Sequence, residues 1–210
     1  MKKKLLISLI SVAAAIALCF VGWNIWFFTT TVQRGKALQT GGEYTEAVDS
    51  EDGRYLFVCP EVAVLRAQQP TLYVYERVGE KQIWIWGDRY RLIETIDGKI
   101  QSALFGDGVA VAGAFLFNPR DPATGQKQPT QTLVLFGSSG KNPGYFAECT
   151  YTLTENGQEI TETATLHNDP HKFSFILMLP NLGTANDKVR ALVNARFYDE
   201  AGKLLCTYDA

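Results

Sequence analysis

The two histidines of the chain lie close together, in His167-Asn168-Asp169-Pro170-His171. With the Asp169 carboxylate between them they offer two imidazole nitrogens and one anionic oxygen, a donor set that suits zinc. Pro170 makes the string a turn between strands, however, and the spacing matches no established ligand pattern, so a solvated turn is the plainer reading. Asp107 and Asp121 would serve as paired carboxylates only if the fold joined them, and nothing between them does so in sequence. The serines and acids single out no Ser–His–acid set. No glycine-rich phosphate loop follows a strand and opens a helix. The expectation is a chain without catalytic residues, without metal ligands and without a cofactor.

Aromatic residues make a sharper pattern. Gly79-Glu80 reads as a two-residue hairpin turn between runs Tyr73–Val78 and Lys81–Trp86. That register sets Tyr75 opposite Trp84 and Tyr73 opposite Trp86, which gathers four rings on one face and Leu72, Val74, Ile83 and Ile85 on the other. Tyr73, Tyr75, Trp84 and Trp86 are therefore the expected contact surface for a protein or carbohydrate partner. The competing reading buries both faces, since large exposed apolar patches are rare on monomers.

The elements that would position these residues are strands. From Glu43 onward, short runs rich in Val, Ile, Thr, Tyr and Phe alternate with turn residues. Expected strands are Arg54–Val58, Glu61–Ala67, Thr71–Val78, Lys81–Trp86, Arg89–Thr95 and Lys99–Phe105. Seven more follow: Val109–Phe117, Gln131–Phe136, Tyr145–Thr154, Glu159–Leu166, Lys172–Leu179, Lys188–Tyr198 and Lys203–Tyr208. In Tyr145–Thr154 one face holds Tyr145, Ala147, Cys149, Tyr151 and Leu153 while the other is mostly polar, the mark of a strand with one core face. Seven such strands within residues 108–210 resemble an immunoglobulin-like β-sandwich in length and spacing. That resemblance implies an inter-sheet disulfide between Cys149 and Cys206, with two buried thiols as the alternative. Residues 43–107 are set apart as an N-terminal β region, and the proline-bearing 118–130 segment as a long surface loop. The fold class is all-β, antiparallel, behind one N-terminal helix.

That helix is the clearest signal in the 210 residues. Leu5 to Phe28 carry no charge, and as a helix they would span about 36 Å against a hydrocarbon core of roughly 30 Å. Lys2, Lys3 and Lys4 precede the run, while Trp23, Trp26, Phe27 and Phe28 crowd its far end as interfacial residues do. The expectation is a single-pass anchor over residues 5–28 in the cell membrane, with residues 1–4 cytoplasmic, 29–42 a polar linker and the body extracytoplasmic. Ala15-Ile16-Ala17 offers a signal-peptide alternative, but cleavage there would leave an apolar new end; Cys19 after the bulky Leu18 is a poor lipoprotein site. With the three lysines set apart, 17 basic residues face 22 acidic ones, a net of −5, which supplies no footprint for nucleic acid. The function expected is a membrane-anchored, non-catalytic binding or assembly module. The alternatives are a cell-surface hydrolase or metal-dependent enzyme using the His167 region, and a secreted ligand-binding protein if the apolar run is removed.

Overall fold

The computed structural model describes residues 2–39, 45–60, 71–78, 88–98, 109–121, 123–128, 130–139, 145–155, 158–167, 174–182 and 189–209. Helix α1 (Lys2–Thr30) leads into strand β1 (Val32–Gln33) and a short helix α2 (Arg34–Leu38). Then come β2 (Thr45–Asp49), β3 (Tyr55–Pro60), β4 (Thr71–Val78), β5 (Arg89–Asp97), β6 (Val109–Phe117) and β7 (Gln131–Ser139). The chain closes with β8 (Phe146–Glu155), β9 (Gln158–His167), β10 (Ser174–Leu182), β11 (Val189–Tyr198) and β12 (Leu204–Asp209). Every pairing is antiparallel. The strands form a first sheet ordered β1-β5-β4-β3-β2, a middle sheet β10-β7-β6 and an outer sheet β12-β11-β8-β9.

Residue patterns explain the layering. The outer sheet alternates: Ala147, Cys149 and Tyr151 turn inward, and the β9 side chains between Gln158 and His167 are mostly exposed. The middle sheet does not alternate, because both of its faces are covered. Leu133, Leu135, Phe175 and Leu177 pack against the outer sheet. Val134, Phe136 and Ile176, with Phe115 and Phe117, pack against the first sheet. The apolar string Leu133-Val134-Leu135-Phe136 is what a strand needs when no side chain can reach water.

The first sheet is also covered twice. Tyr55, Phe57, Cys59, Leu72 and Val74 meet the middle sheet. Leu56, Val58, Tyr75 and Tyr90 turn the other way and are roofed by Ala37, with Val32 and Leu38 beside it. The stretch 29–42 is thus not a polar linker over its described part. α1 runs on to Thr30, and β1 pairs Val32 with Tyr90 and Gln33 with Arg89. Arg34 then fixes α2 to β2 through two hydrogen bonds to Asp49, each 2.7 Å. A short helix with no periodicity gains its order from the sheet it covers.

In the outer sheet, the β11–β12 loop follows its turn chemistry. Asp199 Oδ1 accepts from the Lys203 N–H at 2.8 Å, and Gly202 takes a φ of +79° that a side chain would disfavour. The strands expected over Glu61–Ala67, Lys81–Trp86 and Lys99–Phe105 lie outside the described residues.

Packing between the first and middle sheets is close at Gly113 on β6. A Cβ there would lie 2.5 Å from Phe136 Cζ and 2.8 Å from Gly98 Cα. Gly113→Ala should therefore lower the free energy of unfolding by about 1–3 kcal/mol, the usual cost of overpacking a core. Urea unfolding followed by fluorescence measures it, and an unchanged midpoint would contradict this tight approach.

Candidate functional site

A cleft of about 330 Å³ opens at one end of the seam between the first and middle sheets. Its floor is Tyr55 and Phe57 of β3, Phe117 of β6 and Met178 of β10. The rings are set edge to face, Tyr55 to Phe117 at 4.7 Å and Phe57 to Phe117 at 5.3 Å, an arrangement that holds an apolar floor rigid. The lip is polar. Ser50, Glu51 and Asp52 come from the β2–β3 turn, and Gln128 from the 118–130 loop. The volume falls in the range of small-ligand pockets.

Each lip is held in place by its own hydrogen bonds. Ser50 Oγ donates to Asp52 Oδ1 at 2.6 Å and accepts from the Tyr55 N–H at 2.9 Å. Asp52 Oδ1 also accepts from the Arg54 N–H at 3.0 Å. Across the cleft, Asp121 Oδ1 accepts from the Ala123 N–H at 2.7 Å and the Thr124 N–H at 3.3 Å, and those bonds hold its carboxyl below the usual range. The two lips are joined at the base: Tyr55 Oη accepts from the Arg120 N–H at 2.9 Å, and the Arg54 guanidinium donates to the Arg120 carbonyl and to Glu76. The long loop is thereby pinned to β3.

A second constellation seats α1 on the first sheet. Arg89, 9% exposed at the start of β5, donates from Nη2 to the Thr31 carbonyl at 2.6 Å and the Phe28 carbonyl at 3.3 Å. Its Nε donates to Thr31 Oγ1 at 2.8 Å. Thr31 Oγ1 donates in turn to the Phe27 carbonyl at 2.7 Å. The guanidinium also faces the Phe28 ring at 4.7 Å, and Phe27 beside it is buried. Carbonyls at a helix C-terminus lack intrahelical donors and carry partial negative charge, so a cation there satisfies both needs. Burial draws the Arg89 pKa down from its ordinary value, yet arginine stays charged.

At the end of β4, Val78 lies across from Arg89 and not from Lys81. β4 has β3 on one edge and β5 on the other. Tyr75 lies across from Leu56 and Leu92, and Tyr73 across from Val58 and Thr95. Trp84 and Trp86 lie outside the described residues. Tyr75 is 4% exposed and belongs to the core beneath α2, with Tyr73 packed against it. His167 is exposed at the end of β9; Asp107, Asp169 and His171 lie outside the described residues. Among the described residues no three His, Cys, Asp or Glu side chains gather as a metal site. A different aromatic row exists on the outer sheet, where Phe146 pairs with Tyr198 and His167 on its two flanks and stacks on the Tyr198 ring at 5.0 Å.

Cys149 and Cys206 share one sheet, on β8 and β12, with β11 between them. Cys149 lies opposite Ala195 and Cys206 opposite Phe197. Two strand spacings amount to about 9.6 Å, beyond the roughly 7 Å that a disulfide spans. An inter-sheet bridge is not formed, and Cys149 is a free, buried thiol like Cys59. Neither the cleft nor the Arg89 seat was found by sequence reasoning. Both unite segments distant in the chain, and their only local signs are an Asx turn at Asp121 and a charge heading β5.

Comparison with known proteins finds no matching family model, no matching curated protein and no matching solved structure.

Two measurements follow from these environments. Burial pushes the Cys59 and Cys149 thiols up to about 12, whereas unfolded thiols ionise near 8.5. Their contribution to stability is complete below about pH 8.5 and is lost as pH rises toward 12. The melting temperature should fall across that window, and fall less steeply in the Cys59→Ala/Cys149→Ala variant; equal slopes would refute the assignment. Arg89→Met keeps the stem but removes the donors. It should cost about 2–3 kcal/mol and expose the chain after Thr30 to protease. Unchanged resistance to cleavage would show that the seat does not depend on Arg89.

Proposed function

We propose that this chain is a membrane-anchored, non-catalytic binding module whose body stands outside the cytoplasm and takes a partner in the cleft between its first and middle sheets. The cleft carries the reading. An apolar floor of three rings and Met178 beneath a lip bearing Glu51, Asp52 and Gln128 suits a group with an apolar body and a cationic or hydroxylated head. The polar groups of the lip support binding: the Ser50 hydroxyl and the Asp52 carboxylate are engaged with each other and with the backbone of their own turn.

The anchor rests on α1, the one described helix long and apolar enough to cross a membrane, over Ile10–Thr30. Its side chains from Ile10 to Trp26 are almost all exposed, as lipid-facing residues are in the absence of lipid. Asn24, a polar side chain near its far end, donates one N–H to the Phe20 carbonyl at 2.8 Å, which lowers its cost in the bilayer. Lys2, Lys3 and Lys4 favour a cytoplasmic N-terminus.

Within the body, β6 to β12 are read as an immunoglobulin-like unit. The first, second and fifth of these strands make one sheet, and the third, sixth and seventh the other. That is the division of A, B and E from C, F and G. The fourth strand lies beside the third, as the extra strand of variable-type domains does. The first sheet is then an N-terminal addition covering the face that such a sandwich leaves to solvent.

Binding is tested by screening aromatic amines against the detergent-solubilised full chain with saturation-transfer NMR. Met178→Trp, which fills the cleft, should remove the hits while shifting the melting temperature only slightly. Hits that survive this substitution would place binding elsewhere. Orientation is tested separately: protease given access to the outer membrane face of intact cells should digest the body, and protection until lysis would reverse the topology.

A further inference from the structure

β5 runs toward the membrane end of α1. Its first residue, Arg89, bonds the helix at Phe28 and Thr31; two residues later Arg91 faces the Trp26 ring at 5.2 Å. Along α1 the contact has moved back from Phe28 to Trp26, about 3 Å on the helical rise. Leu92 and Ile93 come next, and they are 46% and 42% exposed. Outside α1, the only other large aliphatic side chain so exposed among the described residues is Leu204. Two such neighbours on one strand are unusual, and a register shift produces them. Val74 faces Glu94 while Tyr75 faces Leu92, so Ile93 has no partner on β4. β1 pairs with β5 only at Arg89 and Tyr90, which leaves the outer edge of β5 from Arg91 onward without a described neighbour. Arg91 Nε lies out of contact with water and has no hydrogen-bond partner.

We propose that the Arg91–Ile93 edge of β5 rests on the lipid headgroup layer, with Arg91 receiving a phospholipid phosphate and Leu92 and Ile93 entering the acyl boundary. This rests on the reading of α1 as a membrane anchor. Three observations favour lipid over a protein partner. The edge is continuous with the aromatic belt of α1, where Trp23 and Trp26 pack at 5.2 Å. Its charge complements phosphate, and a half-buried guanidinium beside an indole is at home at that depth. Exposed Glu94 follows immediately and holds the dip shallow. A strand added from a second copy would satisfy the backbone edge but not the guanidinium.

The test uses the full chain in vesicles of phosphatidylcholine and phosphatidylglycerol, with a benzophenone amino acid at Ile93 or, as control, at exposed Thr163 on the outer sheet. Irradiation should yield lipid adducts on the peptide carrying position 93 and none at 163. Arg91→Glu should lower the yield at 93 several-fold while carbonate extraction still leaves the chain in the membrane. Retention without adducts at 93, equal adducts at both positions, an unchanged yield in Arg91→Glu, or cross-links to a second copy would each overturn the proposal alone. Release by carbonate would defeat the anchor reading itself, and the proposal with it.

Discussion

The architecture turns on three strands that are covered on both faces. β6, β7 and β10 form the middle layer, and their side chains contribute to both of the two larger cores. At about 25 cal/mol per Å² of apolar surface, double burial makes these strands the densest source of stabilisation per residue. It also constrains the neighbours. The outer sheet must offer an apolar face to one side, and the first sheet must offer Tyr55, Phe57 and Val74 to the other. The first sheet cannot detach without exposing Val134, Phe136 and Ile176, so the N-terminal region and the C-terminal sandwich stand or fall together.

The cleft is a by-product of that stacking. Where two twisted sheets diverge at their ends, side chains no longer fill the gap, and here the gap is floored by rings and closed by two turns. Arg54 and Tyr55 tie those turns together, so the mouth is set by residues of the sheet. The loop's length suggests freedom, but its own backbone pairing, Arg120 with Lys127, makes it a small hairpin.

Strand positions were legible because burial on one face or two writes itself as alternation or as an apolar run. Thr71–Val78 and Val109–Phe117 have the ends the residues suggested. Gly79-Glu80 and the run carrying Trp84 and Trp86 lie outside the described residues; what the structure adds is that β4 is a central strand, paired with its successive neighbours β3 and β5, a placement that turn chemistry alone does not encode. β1 and α2 were missed for another reason: two residues and five residues are too short to show a period. Arg89 was read only as the start of a strand. A single charge has no pattern, and its role exists only because Thr31 and Phe28 arrive from elsewhere.

The ordered junction between α1 and the first sheet changes how the body would explore its surroundings. On a slack tether of the length of residues 29–42, a domain would sweep a hemisphere about its root, and encounters would be diluted through that volume. β1, α2 and Arg89 clamp Thr31 and its neighbours, so an anchored body would keep only rotation about the helix axis and lateral diffusion. For a body anchored as proposed, the cleft would travel at one fixed altitude and its search would be two-dimensional. A partner confined to the same membrane at that altitude would then meet it at high effective concentration, whereas one set higher or lower would be passed over however well its chemistry fits.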